Sequence, residues 1–315
     1  MNIKIEKIEY YLPAKKETRE DLVRDNPDWR MDSIEQKTGI INRYVVDDES
    51  ALDLAVQAAN KLKLNGNEID GIIYVTQSPE YVLPTTACVL QEKLNLSVNC
   101  MAFDVNLGCS GFVYGLGIAA SLVQSSLVTN ALLVCSDTYT KYISKSNRTC
   151  RPIFSDGASA TLISACESTS VGPFVFKTDG SGAESLVVKK NDINNKASAL
   201  EDLYMDGSRV FMFTMSEVPK AINEVLNKGD MTLNDIDVFI FHQASKLVID
   251  NLIRKLKLSE EKVYRNYSNI GNTVSSTIPI ALNNAVDEDL IKPGSRVLLA
   301  GFGVGLSIGV TVLMW

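Results

Sequence analysis

The sequence predicts an α/β fold with mostly parallel strands, built from two related halves. Two observations carry the prediction: strand-like apolar runs alternate with helix-like ones, and the chain repeats itself weakly. The stretch "AANKLKLNGNEIDGIIYVTQS" (58–78) matches "VLNKGDMTLNDIDVFIFHQAS" (225–245). Each passes from a helical segment through an Ile-Asp pair into an apolar strand, with Asp70 and Asp237 in register. At 315 residues and 45% hydrophobic content the chain can bury a core large enough for two such units.

The elements follow in order. A helix-like run at 52–62 leads into a strand at 71–76, and the next helical run, "CVLQEKLNL", faces "NLIRKLKLS" of the second copy. After these, "FDVNLGCSG" and "YRNYSNIGNT" fall in similar places, and "ALLVCSD" faces "RVLLAGFG" as the closing strand. Helices are expected at 111–128 and 246–256, and strands at 131–135, 238–241 and 296–300. The join falls near residue 170. In such layered folds ligands bind beyond the C-terminal ends of parallel strands, where Cys109, His242 and the glycines of 301–305 all lie.

Composition excludes several classes of function. Lys and Arg number 31 against 38 Asp and Glu, a net charge of −7 that argues against a protein built around nucleic acid. The six cysteines form no CxxC pair and the opening residues lack the apolar core of a signal peptide, so reduced thiols in a cytoplasm are expected. One histidine and no clustered thiols leave a zinc site without its usual ligands, so no metal is expected. The uncharged stretch 105–136 and the glycine-broken C-terminus read as a buried helix and central strands rather than membrane spans.

Cys109 stands out from the other cysteines. Gly108 and Gly111 allow a tight strand-to-helix turn, and a helix N-terminus favours thiolate. A small buried packing residue is the alternative. His242 ends the strand "VFIF" and is the one imidazole a nucleophilic cysteine has for a partner, unless it is a satisfied structural histidine. Asn272 is either a turn residue or, from its place in the repeat opposite Cys109, a donor to an oxyanion. "GFGVG" (301–305) lacks the third glycine and the βαβ unit of a dinucleotide site, which leaves a turn presenting backbone N–H groups or glycines kept for close packing.

In chain order, "KTGI", "LPTTACVLQ", "FDVNLGCSGF", "RPIFSDGASA", "FHQAS", "NIGNTVSSTIPIAL" and "AGFGVGLSIG" resemble β-ketoacyl-acyl-carrier-protein synthase III and its relatives in the thiolase superfamily. The match spans nearly the whole chain. It implies a thiolase-like duplicated five-layer αβαβα fold, with residues 1–170 carrying the cysteine and 171–315 the histidine and asparagine. It also implies a triad of Cys109, His242 and Asn272. Cys109 would take an acyl group from a thioester while the backbone N–H groups of Cys109 and Val304 hold the oxyanion. His242 and Asn272 would hydrogen-bond the carbonyl of a malonyl thioester, so that decarboxylation yields an enolate and then a 3-oxoacyl thioester.

By the same resemblance Lys37, Arg148, Leu83, Phe154, Gly303 and Gly305 contact substrate, and acyl-CoA or acyl carrier protein enters as substrate with no separate cofactor. Acyl carrier protein would dock on Arg254 and Lys255, with Lys246 and Lys257 nearby, and Leu83 would reach across a homodimer interface. The chain departs from the family at Ser33, where an aromatic residue is usual, with Trp29 four residues away. It departs also at Lys37 in place of arginine, at Ser245 in place of asparagine and at Val274 in a run of small residues. Other readings of the same residues are acyl transfer to an alcohol or amine, and a non-catalytic ketosynthase-like partner.

Overall fold

A computed structural model describes residues 1–64, 68–167, 170–189 and 201–315; residues 65–67 of the first repeat segment lie outside these. In chain order the first sheet holds β1 (Ile3–Tyr11), β2 (Gly71–Val75), β3 (Met101–Val105), β4 (Asn130–Asp137) and β5 (Gly157–Ala165), arranged β1-β5-β4-β2-β3. The second holds β6 (Val171–Thr178), β7 (Val238–Phe241), β8 (Arg296–Gly303) and β9 (Ser307–Met314), arranged β7-β8-β9-β6.

The sheets are mixed, which corrects the expectation of mostly parallel strands. β2 runs parallel to both β3 and β4, and β7 parallel to β8. The pairs β1/β5, β5/β4, β8/β9 and β9/β6 are antiparallel. The two sheets nevertheless follow one plan, since β6-β9-β8-β7 repeats the directions of β1-β5-β4-β2. A parallel bridge from Phe239 to Val263 stands on β7 where β3 stands on β2. Asp70 and Asp237 have matching duties: the Asp70 carboxylate accepts from Asn130 N at 2.9 Å, and the Asp237 carboxylate from Arg296 N at 2.8 Å. Each pins the start of the strand lying beside its own.

Alternation along the central strands sends side chains to two faces. Ile73, Val75, Leu133, Ile240 and Leu299 point into a core shared by both sheets, which is filled by α4 (Gly111–Gln124) and α7 (Thr277–Asp287). Ile72, Tyr74, Leu132 and Val134 point the other way, onto α2 (Ala51–Lys61) and α3 (Thr86–Lys93). Phe239, Phe241, Leu298 and Ala300 pack on α5 (Gly207–Lys228) and α6 (Lys246–Leu256). The result is five layers, αβαβα. The short helix α1 (Met31–Thr38) lies at one end and touches α6.

Local sequence explains the helices. α2 opens with a capping box between Ser50 and Asp53 and buries Leu54, Ala55, Ala58 and Ala59 on one face. α4 contacts strands of both sheets and meets no water along most of its length, which accounts for its lack of charge. No helix among the described residues is long and apolar enough to cross a membrane.

Candidate active site

Three strand ends converge on one cavity of about 870 Å³, lined among others by Cys109, His242, Asn272 and Gly303. Cys109 follows β3 and stands just before the N-cap of α4; His242 follows β7; Val304 follows β8. Asn272 is carried by a segment tied through a bridge to Phe154, with Asn272 N donating to Ile153 O at 3.0 Å and Ser155 N donating to Asn272 O at 2.8 Å.

The glycines around Cys109 serve close packing. Gly108 and Gly111 are not left-handed; a Cβ on Gly111 would stand 2.4 Å from Val75 Cγ1, and one on Gly108 2.6 Å from Val304 Cγ1. On the facing strand, a Cβ on Gly303 would fall 2.8 Å from Cys109 Cβ and 3.0 Å from its sulfur. The 301–305 turn can therefore press its backbone against the sulfur.

Electrostatics correct the expectation of a favoured thiolate. Burial first, then the charge of Asp137, push the Cys109 thiol up to about 12, against the backbone N–H groups of Val304 and Cys109 that face the sulfur and pull the other way. Asp137 is itself buried and pushed up to about 7, although it accepts from Ser275 Oγ at 2.5 Å and Gln77 N at 2.7 Å. Burial pulls His242 down to about 3, so its imidazole is neutral. The site at rest holds a thiol and a neutral imidazole.

His242 Nε2 and Asn272 Nδ2 lie 3.4 Å apart. Asn272 Oδ1 accepts from Val274 N at 2.9 Å, which turns its amide nitrogen toward the imidazole. Val274 makes that bond from a left-handed backbone, φ 56°, a conformation strained by roughly 1–3 kcal/mol in a β-branched residue.

Lys37, Arg148 and Phe154 also line the cavity, as do Ser33 and Ser245; Gly305 and Trp29 do not. Lys37 and Arg148 are exposed and form no ion pair among the described residues. Leu83 is 80% exposed and outside the cavity, beside fully exposed Val82. Lys246, Arg254, Lys255 and Lys257 are exposed on or just after α6, whose first turn lines the cavity mouth through Leu247 and Val248. Lys246 is engaged with Asp250. Among the described residues no cluster of His, Cys, Asp and Glu could hold a metal.

The residues missed at the sequence level are those that support this constellation. Thr277 Oγ1 lies 2.7 Å from His242 Nδ1, and the Phe302 ring stands edge-on to the imidazole. The hydroxyl-rich "SST" after Asn272 was the available signal. A buried ionic cluster joins Arg43, Glu17, Arg151 and Asp25, with Arg43 also donating to Phe154 O at 2.7 Å. Its members are scattered over 134 positions, and no local pattern betrays them.

Comparison with known proteins places the chain in a family. Residues 103–180 match the family model of 3-oxoacyl-[acyl-carrier-protein] synthase III, and residues 226–315 match its C-terminal model. The chain is 32% identical to the β-ketoacyl-[acyl-carrier-protein] synthase III of Clostridium novyi, over 100% of this chain and 99% of that one. Its identity to the Clostridium perfringens protein of the same name is 34%, over 94% and 93%. A crystal structure of a 3-oxoacyl-(acyl-carrier-protein) synthase III superposes with a TM-score of 0.95 at 37% identity, covering both chains completely.

Proposed function

The chain belongs to the 3-oxoacyl-[acyl-carrier-protein] synthase III family, and from that premise we propose how its residues divide the work. The protein is an acyltransferase that condenses an acyl group with a malonyl thioester, with loss of carbon dioxide, to give a 3-oxoacyl thioester. We assign the nucleophile to Cys109 and the oxyanion donors to the backbone N–H groups of Val304 and Cys109, and the observation that carries the assignment is the sulfur's place in the cavity shared with His242 and Asn272, with the 303 backbone so close that a Cβ on Gly303 would fall 3.0 Å from it. Sulfur attacks the thioester carbon, the carbonyl oxygen moves onto those two donors, and the donor thiol leaves with the proton Cys109 gave up. A donor of this kind is worth about a hundred- to a thousandfold in rate.

In the second half-reaction His242 and Asn272 face the carbonyl oxygen of the malonyl thioester. The carboxylate departs as carbon dioxide, its electron pair forms an enolate held by both donors, and the enolate carbon attacks the acyl carbon. The bond to Cys109 breaks and the sulfur takes up one proton. Neither half-reaction calls for a metal or an organic cofactor, because the thioesters supply both electrophile and leaving group.

Lys37 and Arg148, exposed cations on the cavity wall without an ion pair among the described residues, fit the phosphates of coenzyme A or a phosphopantetheine arm. The exposed cluster Arg254, Lys255 and Lys257 beside the mouth fits an acidic carrier protein. A homodimer belongs to the same reading, supported by exposed Val82 and Leu83 and by β3 standing at the edge of its sheet. So do a duplicated organisation divided near residue 170, supported by the matching sheet plans, and a cytoplasmic location, supported by six free thiols.

Intact-protein mass spectrometry against a panel of acyl-CoA and acyl-carrier-protein thioesters tests the reading. An acyl mass should appear on the wild type and vanish in Cys109→Ala, while His242→Ala and Asn272→Ala should load and fail to decarboxylate malonyl thioester. Loading that persists at the same site in Cys109→Ala would remove the nucleophile assignment.

A further inference from the structure

A neutral imidazole carries one N–H, and only a proton on Nε2 lets His242 donate to a substrate oxygen. His242 is 2% exposed, and its Nδ1 has one hydrogen-bond partner among the described residues, the Thr277 hydroxyl at 2.7 Å. That hydroxyl has a second neighbour, the Val274 carbonyl at 3.1 Å. The carbonyl, however, already accepts from the backbone N–H of Thr277. The shorter of the hydroxyl's two contacts is to Nδ1, which has no other partner among the described residues, whereas the carbonyl is satisfied without the hydroxyl.

We propose that Thr277 is a positioning residue: by donating to Nδ1 it keeps the ring proton of His242 on Nε2. Asn272 completes the arrangement, because Val274 N holds its Oδ1 and leaves Nδ2 facing Nε2 at 3.4 Å. Two donors that face each other do not bond each other. They are poised for one oxygen that accepts from both, which is the electrostatic requirement of an enolate. The kinetic part of this inference rests on the condensing reading above; the tautomer does not.

The chain contains one histidine, so labelling histidine with ¹⁵N gives two ring signals and no others. In the free wild type the proton should be on Nε2. In Thr277→Val, which keeps the shape and removes the hydroxyl, it should shift toward Nδ1, since Asn272 can then donate to a bare Nε2. Decarboxylation of malonyl thioester should fall about ten- to a hundredfold, the loss expected when a buried hydrogen bond orienting a catalytic imidazole is removed. Loading of Cys109 should stay within about threefold, and Thr277→Ser should recover decarboxylation.

A wild-type spectrum with the proton on Nδ1 would overturn the proposal, as would Thr277→Val decarboxylating at the wild-type rate. Equal loss in the Ser and Val variants would also overturn it, because the γ-methyl rather than the hydroxyl would then matter. A wild type that neither loads nor decarboxylates would defeat the functional reading alone, and the spectrum would still decide the tautomer.

Discussion

Replacing Gly303 by alanine probes the contact on which acyl loading depends. The added Cβ would stand 2.8 Å from Cys109 Cβ and 3.0 Å from its sulfur, whereas ordinary contact starts at 3.4 Å, so the two chains must part by at least 0.6 Å at carbon and 0.4 Å at sulfur. Cys109 has little room to retreat. It is 3% exposed, the adjoining Gly111 N donates to Gly108 O at 2.7 Å, and β8 presses so close that a Gly301 Cβ would meet Cys109 O at 2.9 Å. The movement falls instead on the 303–304 turn and carries the Val304 N–H off the sulfur. Losing one such donor costs about a hundredfold or more, and a displacement of about 1 Å costs a similar factor. Loading, timed by acid quench and intact mass, should therefore slow about a hundredfold, with stability in guanidinium lower by about 1–3 kcal/mol from overpacking. Gly180→Ala, where a Cβ meets nothing within 4 Å, is the control and should load normally. A Gly303→Ala protein that loads within about threefold of wild type would refute the argument that the turn must touch the sulfur.

Because burial and Asp137 push Cys109 up to about 12, its alkylation by iodoacetamide, followed on its own peptide, should rise about a hundredfold between pH 8 and 10; a plateau near pH 9 would show an ordinary thiol. Charge reversal at Arg254 and Lys255 should raise the KM for carrier-protein substrates in a salt-dependent way while sparing acyl-CoA loading, and an unchanged KM would move the docking face elsewhere. Glu17→Gln should destabilise the fold by about 3–5 kcal/mol, read by guanidinium unfolding, since it leaves Arg43 and Arg151 buried side by side without their shared carboxylate. Stability within 1 kcal/mol of wild type would show that Asp25 and solvent suffice.

What the sequence made legible was local. Cys109 between its glycines, His242 at the end of an apolar strand and Asp70 in register with Asp237 were all visible from their neighbours, and the structure sets each at a strand end. Strand direction was not visible. β5, "GASATLISA", is too rich in small residues to show which way it runs, yet it turns the sheet antiparallel. The net electrostatic outcome at Cys109 was not legible either, because it depends on what packs over the sulfur from β8 and on the charge of Asp137, both distant in the chain. Thr277 was hidden for a simpler reason: only the fold of the 272–277 segment shows that its hydroxyl, rather than Ser275 or Ser276, reaches the imidazole.

The middle layer of the fold consists of α4, from before residue 170, and α7, from after it, and each touches strands of both sheets. Neither stretch of chain therefore fills that middle interior alone, although each packs its outer helices on its own sheet. Cut at that point, each fragment would show water the inner face of a sheet dressed in isoleucine, leucine and valine, and would aggregate or remain unfolded until it met the other. The intact chain should melt in a single cooperative step, with no partly folded species holding one sheet and not the other. For the same reason, a substitution beneath α7 should be felt at Cys109 on the far side of that shared interior.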